Sequence, residues 1–201
     1  MKKNHFYIVN ILIMSVLVLA SCGGGEYVPK PKGYNRIDLP AHEYQAFPLA
    51  DYPYSFEYSK HAKVVVDSGR LAEPYWIDVS YPQFDANVEI TYKPLNHNTK
   101  KLYELIEDSR KLVSKHQIKA YSIEEYVEKT KSGSKAYSFV LSGQVPSQYQ
   151  FYVTDSVNHF LRGALYFRTA TQNDSLAPVI EFISEDMQHL FSTLEWRNKK
   201  K

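Results

Sequence analysis

The chain has 201 residues, with 24 basic side chains, 22 acidic side chains and a single cysteine. Two of the basic residues, Lys2 and Lys3, precede an apolar run from Phe6 to Ala20, so the rest of the chain is balanced in charge. A nucleic-acid-binding protein needs a basic patch or stripe, which this balance does not provide. We therefore expect no nucleic-acid partner, and the lone cysteine excludes an internal disulfide.

Residues 1–21 have the organisation of a secretory signal peptide. A basic start is followed by the apolar run, and the small residues Ala20 and Ser21 then precede Cys22. The run is too short and wrongly flanked for a stable membrane span. An uncleaved N-terminal membrane helix is the alternative.

The four residues Leu19-Ala20-Ser21-Cys22 resemble a bacterial lipobox. That resemblance implies a diacylglycerol on the Cys22 thiol, cleavage before Cys22 and acylation of the new amine. Two or three acyl chains anchor a protein stably, at about 0.8 kcal/mol per buried methylene. We expect Cys22 to be the lipid attachment site and a membrane to be the first partner.

The remaining chain divides into three parts. Residues 22–53 are predicted to be a lipidated tether and extended arm, because Gly23–Gly25 are flexible and prolines such as Pro31 and Pro40 enforce extended geometry. Residues 54–196 fit a single domain. Residues 197–201 are predicted to be a solvated basic tail.

Alternating apolar and polar residues predict half-buried strands at residues 75–81 and 88–92. A β-branched run predicts another at residues 62–66, a short one falls at 55–58, and residues 121–129 and 135–141 are predicted to be further strands. The stretch Tyr149–Arg168 predicts a central antiparallel hairpin with a polar tip of Asp, Ser and Asn. Tyr52, Tyr54 and Tyr58 suit either a core or a binding surface.

Two segments have the apolar spacing of amphipathic helices. The first opens at Asn98 or Thr99 and runs to His116, and the second is capped by Asp174 or Ser175, with Pro178 in its first turn. The order of strands, helix, strands, helix predicts an α+β fold: an antiparallel sheet with both helices packed on it. This arrangement is similar to the PsbP and Mog1 type of α/β sandwich.

The hairpin tip contains Asp155, Ser156 and His159, the residue types of a hydrolase triad. A triad needs a base within reach of the nucleophile, a group that orients the base, and an oxyanion hole. Three residues within five positions of one tip diverge, and the chain has no G-x-S-x-G elbow. We favour a turn over a reaction centre and expect no catalytic residue.

Metal and phosphate sites are also disfavoured by spacing. The histidines are scattered without an H-E-x-x-H motif, and no glycine-rich phosphate loop is present. Glu185, Asp186 and His189 lie on neighbouring turns of the last helix, where a surface metal contact competes with a solvated helix face. We expect no metal and no cofactor.

Several strings of residues together carry a family likeness. They are the lipobox at Cys22, the arm from Pro29 to Pro40, and the segments 107–113, 151–156, 158–167 and 174–183. On these residues the chain resembles the GldD family of gliding-motility lipoproteins from Bacteroidetes-type bacteria. The resemblance implies a non-enzymatic envelope lipoprotein needed for gliding and associated with type IX secretion.

The same resemblance bears on location. Surface-exported lipoproteins of such bacteria favour acidic residues directly after the cysteine, whereas here Gly23–Gly25 come before Glu26. We therefore expect a periplasm-facing anchor, with the inner leaflet of the outer membrane favoured over the inner membrane.

Our main hypothesis is a membrane-tethered module that binds other gliding and secretion proteins of the envelope. Arg162 is the most pointed candidate, because a charge within an apolar strand must reach water or meet a carboxylate, inside the protein or on a partner. A small-ligand or lipid carrier and a hydrolase are the alternatives. The candidate contact residues are Tyr34, Arg36, Asp38, Asp155, Asn158, His159 and Arg162.

Overall fold

A computed structural model of the chain describes residues 37–168 and 173–197, with side chains from Ser175 onward in the second range. The described residues belong to one compact unit. Four of the predicted functional features lie outside the described residues: the signal peptide, Cys22, Tyr34 and Arg36.

The strands lie close to the positions that the sequence predicts. In chain order they are β1 (Tyr44–Ala46), β2 (Tyr54–Ser55), β3 (Glu57–Ser59), β4 (Lys63–Val66), β5 (Ile77–Tyr81), β6 (Ala86–Pro94), β7 (Ala120–Lys129), β8 (Lys135–Gly143), β9 (Tyr149–Thr154), β10 (His159–Phe167) and β11 (Glu195–Trp196). Seven of them form one antiparallel sheet in the order β4-β5-β6-β10-β9-β8-β7. The predicted hairpin, β9 and β10, is therefore central.

Two helices are described, α1 (Thr99–Ser114) and α2 (Asn173–Thr193). Asn98 caps α1 as predicted, its side chain accepting a hydrogen bond from the Lys101 backbone at 3.0 Å. The described part of α2 begins at Asn173, ahead of both predicted caps. Pro178 consequently lies inside the helix, where its ring removes one backbone hydrogen bond.

The helices cover opposite faces of the sheet, as the two sides of β9 show. Tyr149, Phe151 and Val153 pack into the core beneath α2, whereas Tyr152 packs into the core beneath α1. All six residues of β9 are buried. This arrangement confirms the predicted α+β class, with one amphipathic helix on each face.

The arm lies against the domain from Ile37 onward. β1 pairs with β3, and Phe47 is buried among Tyr54 and Phe56 of the core. Tyr58 is also buried and Tyr52 is half-buried, so these tyrosines contribute to the core. Such short strands have too few residues for a period to show in the sequence.

The end of the described chain is pinned to the arm. β11 pairs with β2, and the Arg197 guanidinium donates hydrogen bonds to the Leu49 and Ala50 carbonyls and the Ser55 hydroxyl. Arg197 is thus anchored to the domain instead of being solvated with the basic tail. Lys199–Lys201 lie outside the described residues. Neither described helix is long and apolar enough to cross a membrane.

Candidate functional site

The hairpin tip between β9 and β10 is a turn held by its own side chains. The Asp155 carboxylate accepts hydrogen bonds from the backbone N–H groups of Val157, Asn158 and His159 at 2.8–2.9 Å. The Asn158 carbonyl accepts from Leu95, tying the tip to the segment that leads into α1. The polar groups of Asp155 therefore serve the backbone of the turn.

His159 is buried at the start of β10. Its Nδ1 lies 2.8 Å from the Tyr92 hydroxyl, and its ring stacks on Trp196 with centroids 4.8 Å apart. Burial, followed by the charge of Asp155, raises the pKa of Tyr92 to about 12, so Tyr92 stays a neutral phenol. The Asp155 carboxylate and the His159 ring thus contact groups of this chain.

Arg162 lies on the face of β10 that α1 partly covers. Its Cα partners across the sheet are Tyr152 and Thr91. The side chain is half-buried, and within the described residues its guanidinium makes no hydrogen bond or ion pair. Burial lowers the pKa of the guanidinium, while Tyr166 and Asp108 favour its charged form.

Beside Arg162 the sheet carries a polar face that α1 leaves open. We use this name for six side chains of β5, β6 and β10 that share one side of the sheet: Asp78, Ser80, Asn87, Glu89, Arg162 and Tyr166. All but Arg162 line a concavity of about 650 Å³, with Arg168 at its rim. Its size matches that of a ligand or side-chain pocket.

The polar face carries two carboxyl groups and one cation. Asp78 and Glu89 are directly opposed on neighbouring strands. Burial raises the pKa of each carboxyl, and nearby acidic groups raise it further, while a hydrogen bond from Asn87 partly lowers the pKa of Asp78. The Asn87 side-chain oxygen is buried without a hydrogen-bond partner among the described residues. The face offers acceptors to a donor from outside and, at Arg162, a cation to an acceptor.

A second concavity lies between α2 and strands β7, β8 and β9. This groove has a volume of about 430 Å³ and is lined by Tyr126, Ser138, Tyr149 and Glu181, among others. The Tyr149 hydroxyl is buried and makes no hydrogen bond, although Ser138 lies close enough to lower its pKa against the raising effect of burial. The groove is open at the surface.

The acidic and histidine residues of α2 are bound within the protein. Asp186 is fully buried and accepts hydrogen bonds from Tyr81 (3.0 Å) and from Nδ1 of His42 (2.7 Å), while Glu185 contacts the other ring nitrogen of His42. His189 pairs with Glu57. In residues 37–168 and 173–197, no three His, Cys, Asp or Glu side chains are grouped closely enough to hold a metal ion.

The structure therefore separates the predicted contact residues. Asp38 is exposed on the arm, Asp155, Asn158 and His159 lie at the hairpin tip, and Arg162 borders the polar face. Their role in binding a partner stays a prediction. The alternation within each strand shows which neighbouring residues share a side with Asp78 or with Glu89. Only the register of β5 against β6 shows that the two carboxylates face each other.

The fold defines the class of protein: a single α+β domain with one helix on each face of an antiparallel sheet. The family model for the gliding motility lipoprotein GldD matches residues 24–196. The chain belongs to the GldD family of gliding-motility lipoproteins, which confirms the resemblance seen in the sequence. Membership of a lipoprotein family implies a lipid-anchored envelope protein.

Among solved structures, the chain is similar to the solution structure of cyanobacterial PsbP (CyanoP) from Synechocystis sp. PCC 6803. The identity is 12%, the match covers 81% of this chain and 98% of CyanoP, and the TM-score is 0.42. No curated protein matches the sequence.

Proposed function

We propose that this GldD-family lipoprotein is a non-enzymatic module, tethered to a membrane through Cys22, that binds other envelope proteins of the gliding and type IX secretion machinery. Its domain faces the periplasm, and the inner leaflet of the outer membrane is the favoured anchor site. The observation that carries the proposal is Arg162, a half-buried cation with no ion-pair partner among the described residues. An external carboxylate satisfies such a group.

Two further observations support binding over chemistry. Asp155 and His159 of the hairpin tip are engaged in the turn and in contacts with Tyr92 and Trp196. The open polar face places carboxylates and Arg162 beside one concavity, an arrangement suited to charge-complementary recognition of a protein surface.

The contact assignment is tested by pull-down of the intact, lipidated protein from the cell envelope. We compare wild type with Arg162→Ala and Tyr34→Ala, using Arg70→Ala as the matched control because its side chain is exposed and lies outside the concavity beside Arg162. We expect the first two variants to lose a co-purifying protein that wild type and the control retain. If neither substitution alters any co-purifying protein, both contact assignments fail.

The anchor is tested separately by mass spectrometry of Cys22 with and without globomycin, which blocks removal of lipoprotein leaders. The expected result is a lipidated Cys22 at the new N-terminus without the drug and a retained leader with it. A Cys22 without lipid in untreated cells contradicts the tether.

A small-ligand or lipid-binding role is the second candidate, because the groove under α2 has the volume of a ligand site. Native mass spectrometry of the protein purified from its own envelope distinguishes the two. A stoichiometric bound small molecule supports the carrier, and its absence, together with a co-purifying protein, supports the interaction module.

A further inference from the structure

One end of the sheet is an open strand edge. Among the described residues β7 pairs only with β8, so it terminates the seven-stranded sheet, and it is ten residues long. The strand at the opposite end, β4, has only four residues. A long edge strand presents a row of unpaired N–H and C=O groups that another strand can continue.

Apolar side chains lie along this edge and are exposed to solvent. Tyr121 is 78% exposed, Val127 55% and Tyr126 48%, and Ile118 just before the strand is 94% exposed. Such groups favour burial against a partner. The backbone specifies the conformation of that partner, because only an extended segment matches the hydrogen-bonding repeat of β7.

The charge of β7 selects among extended partners. The strand contains Glu124, Glu125 and Glu128, with Lys129 at its end. Arg110 of α1 pairs with Glu125, so the charge open to a partner comes from Glu124 and Glu128, which the alternation of the strand places on the other side of the sheet. In a two-fold antiparallel pairing centred on Glu124, this residue of one copy faces Glu124 of the other, and like charges opposed across strands are destabilising. A partner strand with basic side chains has the complementary charge.

The groove under α2 supplies a second, independent observation. Tyr126 of β7 forms part of its lining, and Glu181 of α2 lies on the other side. The Tyr149 hydroxyl lines it while being 1% exposed and without a hydrogen bond. A strand added about 4.8 Å beyond β7 directs alternate side chains to this face of the sheet.

We propose that the β7 edge and the adjoining groove together bind an extended segment of a partner protein that carries Lys or Arg side chains. The segment continues the sheet beside β7. A long basic side chain lies across Tyr126 towards the Glu181 carboxylate and the Tyr149 hydroxyl, which accepts a hydrogen bond from it. This inference rests on the proposed function and names one surface through which it acts.

Hydrogen–deuterium exchange of the full lipidated protein in detergent micelles tests the edge directly. The probe is the peptide Val-Lys-Val-Thr-Val-Lys-Val-Thr with blocked ends. The controls are the same peptide with Glu replacing Lys, and one with Pro replacing its third Val. At about ten times its Kd, the Lys peptide slows exchange of residues 120–129 by about tenfold. The Glu and Pro peptides give little protection, because they lack the charge or a strand donor.

Substitutions connect the effect to the groove. Tyr126→Ala combined with Glu181→Gln weakens binding of the Lys peptide by about threefold or more, because the ring and the carboxylate that line the groove and contact the basic side chain are lost. Glu104→Gln, on the exposed side of α1, leaves binding unchanged. Unchanged binding in the double variant overturns the role of the groove.

Three outcomes overturn the proposal as a whole. They are equal protection by the Glu peptide, no protection of residues 120–129 by the Lys peptide, and protection without peptide that grows with protein concentration, which indicates a second copy at the edge. If the peptide fails while the pull-down retains its Arg162-dependent protein, the β7 proposal falls and the proposed function stands.

Discussion

The charge of Arg162 lowers the stability of the fold, whereas the proposed function requires that charge. Its guanidinium is half-buried in the central strand β10, and burial lowers its pKa. A cation in that position without a paired carboxylate lowers the free energy of unfolding. The contacts among the described residues therefore do not explain why this position carries a charge.

We predict that Arg162→Leu raises the free energy of unfolding by about 1 kcal/mol, because it removes the desolvated charge and keeps the packing volume. Urea unfolding monitored by tryptophan fluorescence measures the change. Arg168→Leu, at a side chain that is 85% exposed, leaves stability unchanged. A loss of stability in Arg162→Leu indicates that Arg162 is paired within the chain.

Gly163 follows Arg162, and packing explains why this position is a glycine. A Cβ at this position would lie 2.4 Å from Cζ of Phe151 and 3.2 Å from the Glu89 carbonyl. The Phe151 ring from the neighbouring strand occupies the space that a side chain needs. The glycine in an otherwise apolar strand is therefore explained by packing across the hairpin.

Gly163→Ala is expected to lower the free energy of unfolding by about 1–3 kcal/mol through overpacking. Adding Phe151→Leu makes room for the methyl group, so the double variant loses less stability than the two single losses together. Additive losses in denaturant unfolding contradict this account of the glycine.

At the scale of elements, His42 fastens the arm to α2. One ring nitrogen contacts the fully buried Asp186 and the other contacts Glu185, whose side chain is 55% exposed. Asp186 also accepts the Tyr81 hydroxyl from β5. This single carboxylate joins the arm, the sheet and the helix.

Asp186→Ala should lower the free energy of unfolding by about 3 kcal/mol, because it leaves the Tyr81 hydroxyl and His42 without their buried acceptor. Glu185→Ala, which contacts the same histidine from solvent, should cost less than about 1 kcal/mol. Equal losses for the two variants in urea unfolding refute the distinction.

The polar face predicts a pH dependence of stability. Burial, with the charges of Asp78 and Asp67, raises the pKa of Glu89 in the folded protein. The native state then binds more protons than the unfolded state above the ordinary carboxyl pKa, so its stability falls as pH rises through that range.

Glu89→Gln is therefore expected to be more stable than wild type at pH 7, by a few tenths of a kcal/mol because exposed charges are screened. The difference disappears below about pH 4, where the wild-type carboxyl is protonated in both states. Thermal unfolding from pH 3 to pH 8 measures it, and a gain that is independent of pH contradicts the electrostatic cause.

The elements that the sequence predicted are those with a long, clear period. Local sequence patterns predicted helix α1 with its Asn98 cap and the hairpin Tyr149–Arg168, and the structure has both at the predicted positions. The short strands β1 and β11 form only because distant segments pair, and no local pattern marks them. The prediction that Pro178 lies in the first turn of α2 was wrong, because the helix begins before the two residues that were predicted to cap it.

The candidate surfaces could not be predicted without the strand order, which local sequence patterns do not reveal. Arg162 was a candidate from its charge in an apolar strand, but the open polar face beside it depends on β10 pairing with β6. The β7 edge likewise exists only because the hairpin, and not β7, occupies the centre of the sheet.

At the scale of the whole molecule, the family and the fold describe a lipid-anchored α+β domain of the gliding envelope. The proposal adds that the domain acts by binding and not by chemistry. Its helices shield both faces of the central strands, and on the described residues the polar face and the β7 edge with its groove stay open to a partner. Arg162 then has a binding role that is separable from folding.

The speed of gliding cells that carry Arg162→Leu in place of wild type is the most direct test of that claim. We expect the variant to be anchored at the wild-type level and to be at least as stable, yet gliding is abolished or strongly slowed, while Arg70→Leu cells, changed at an exposed arginine outside the polar face, glide normally. Gliding at the wild-type speed with Arg162→Leu would contradict the claim that Arg162 binds an essential partner.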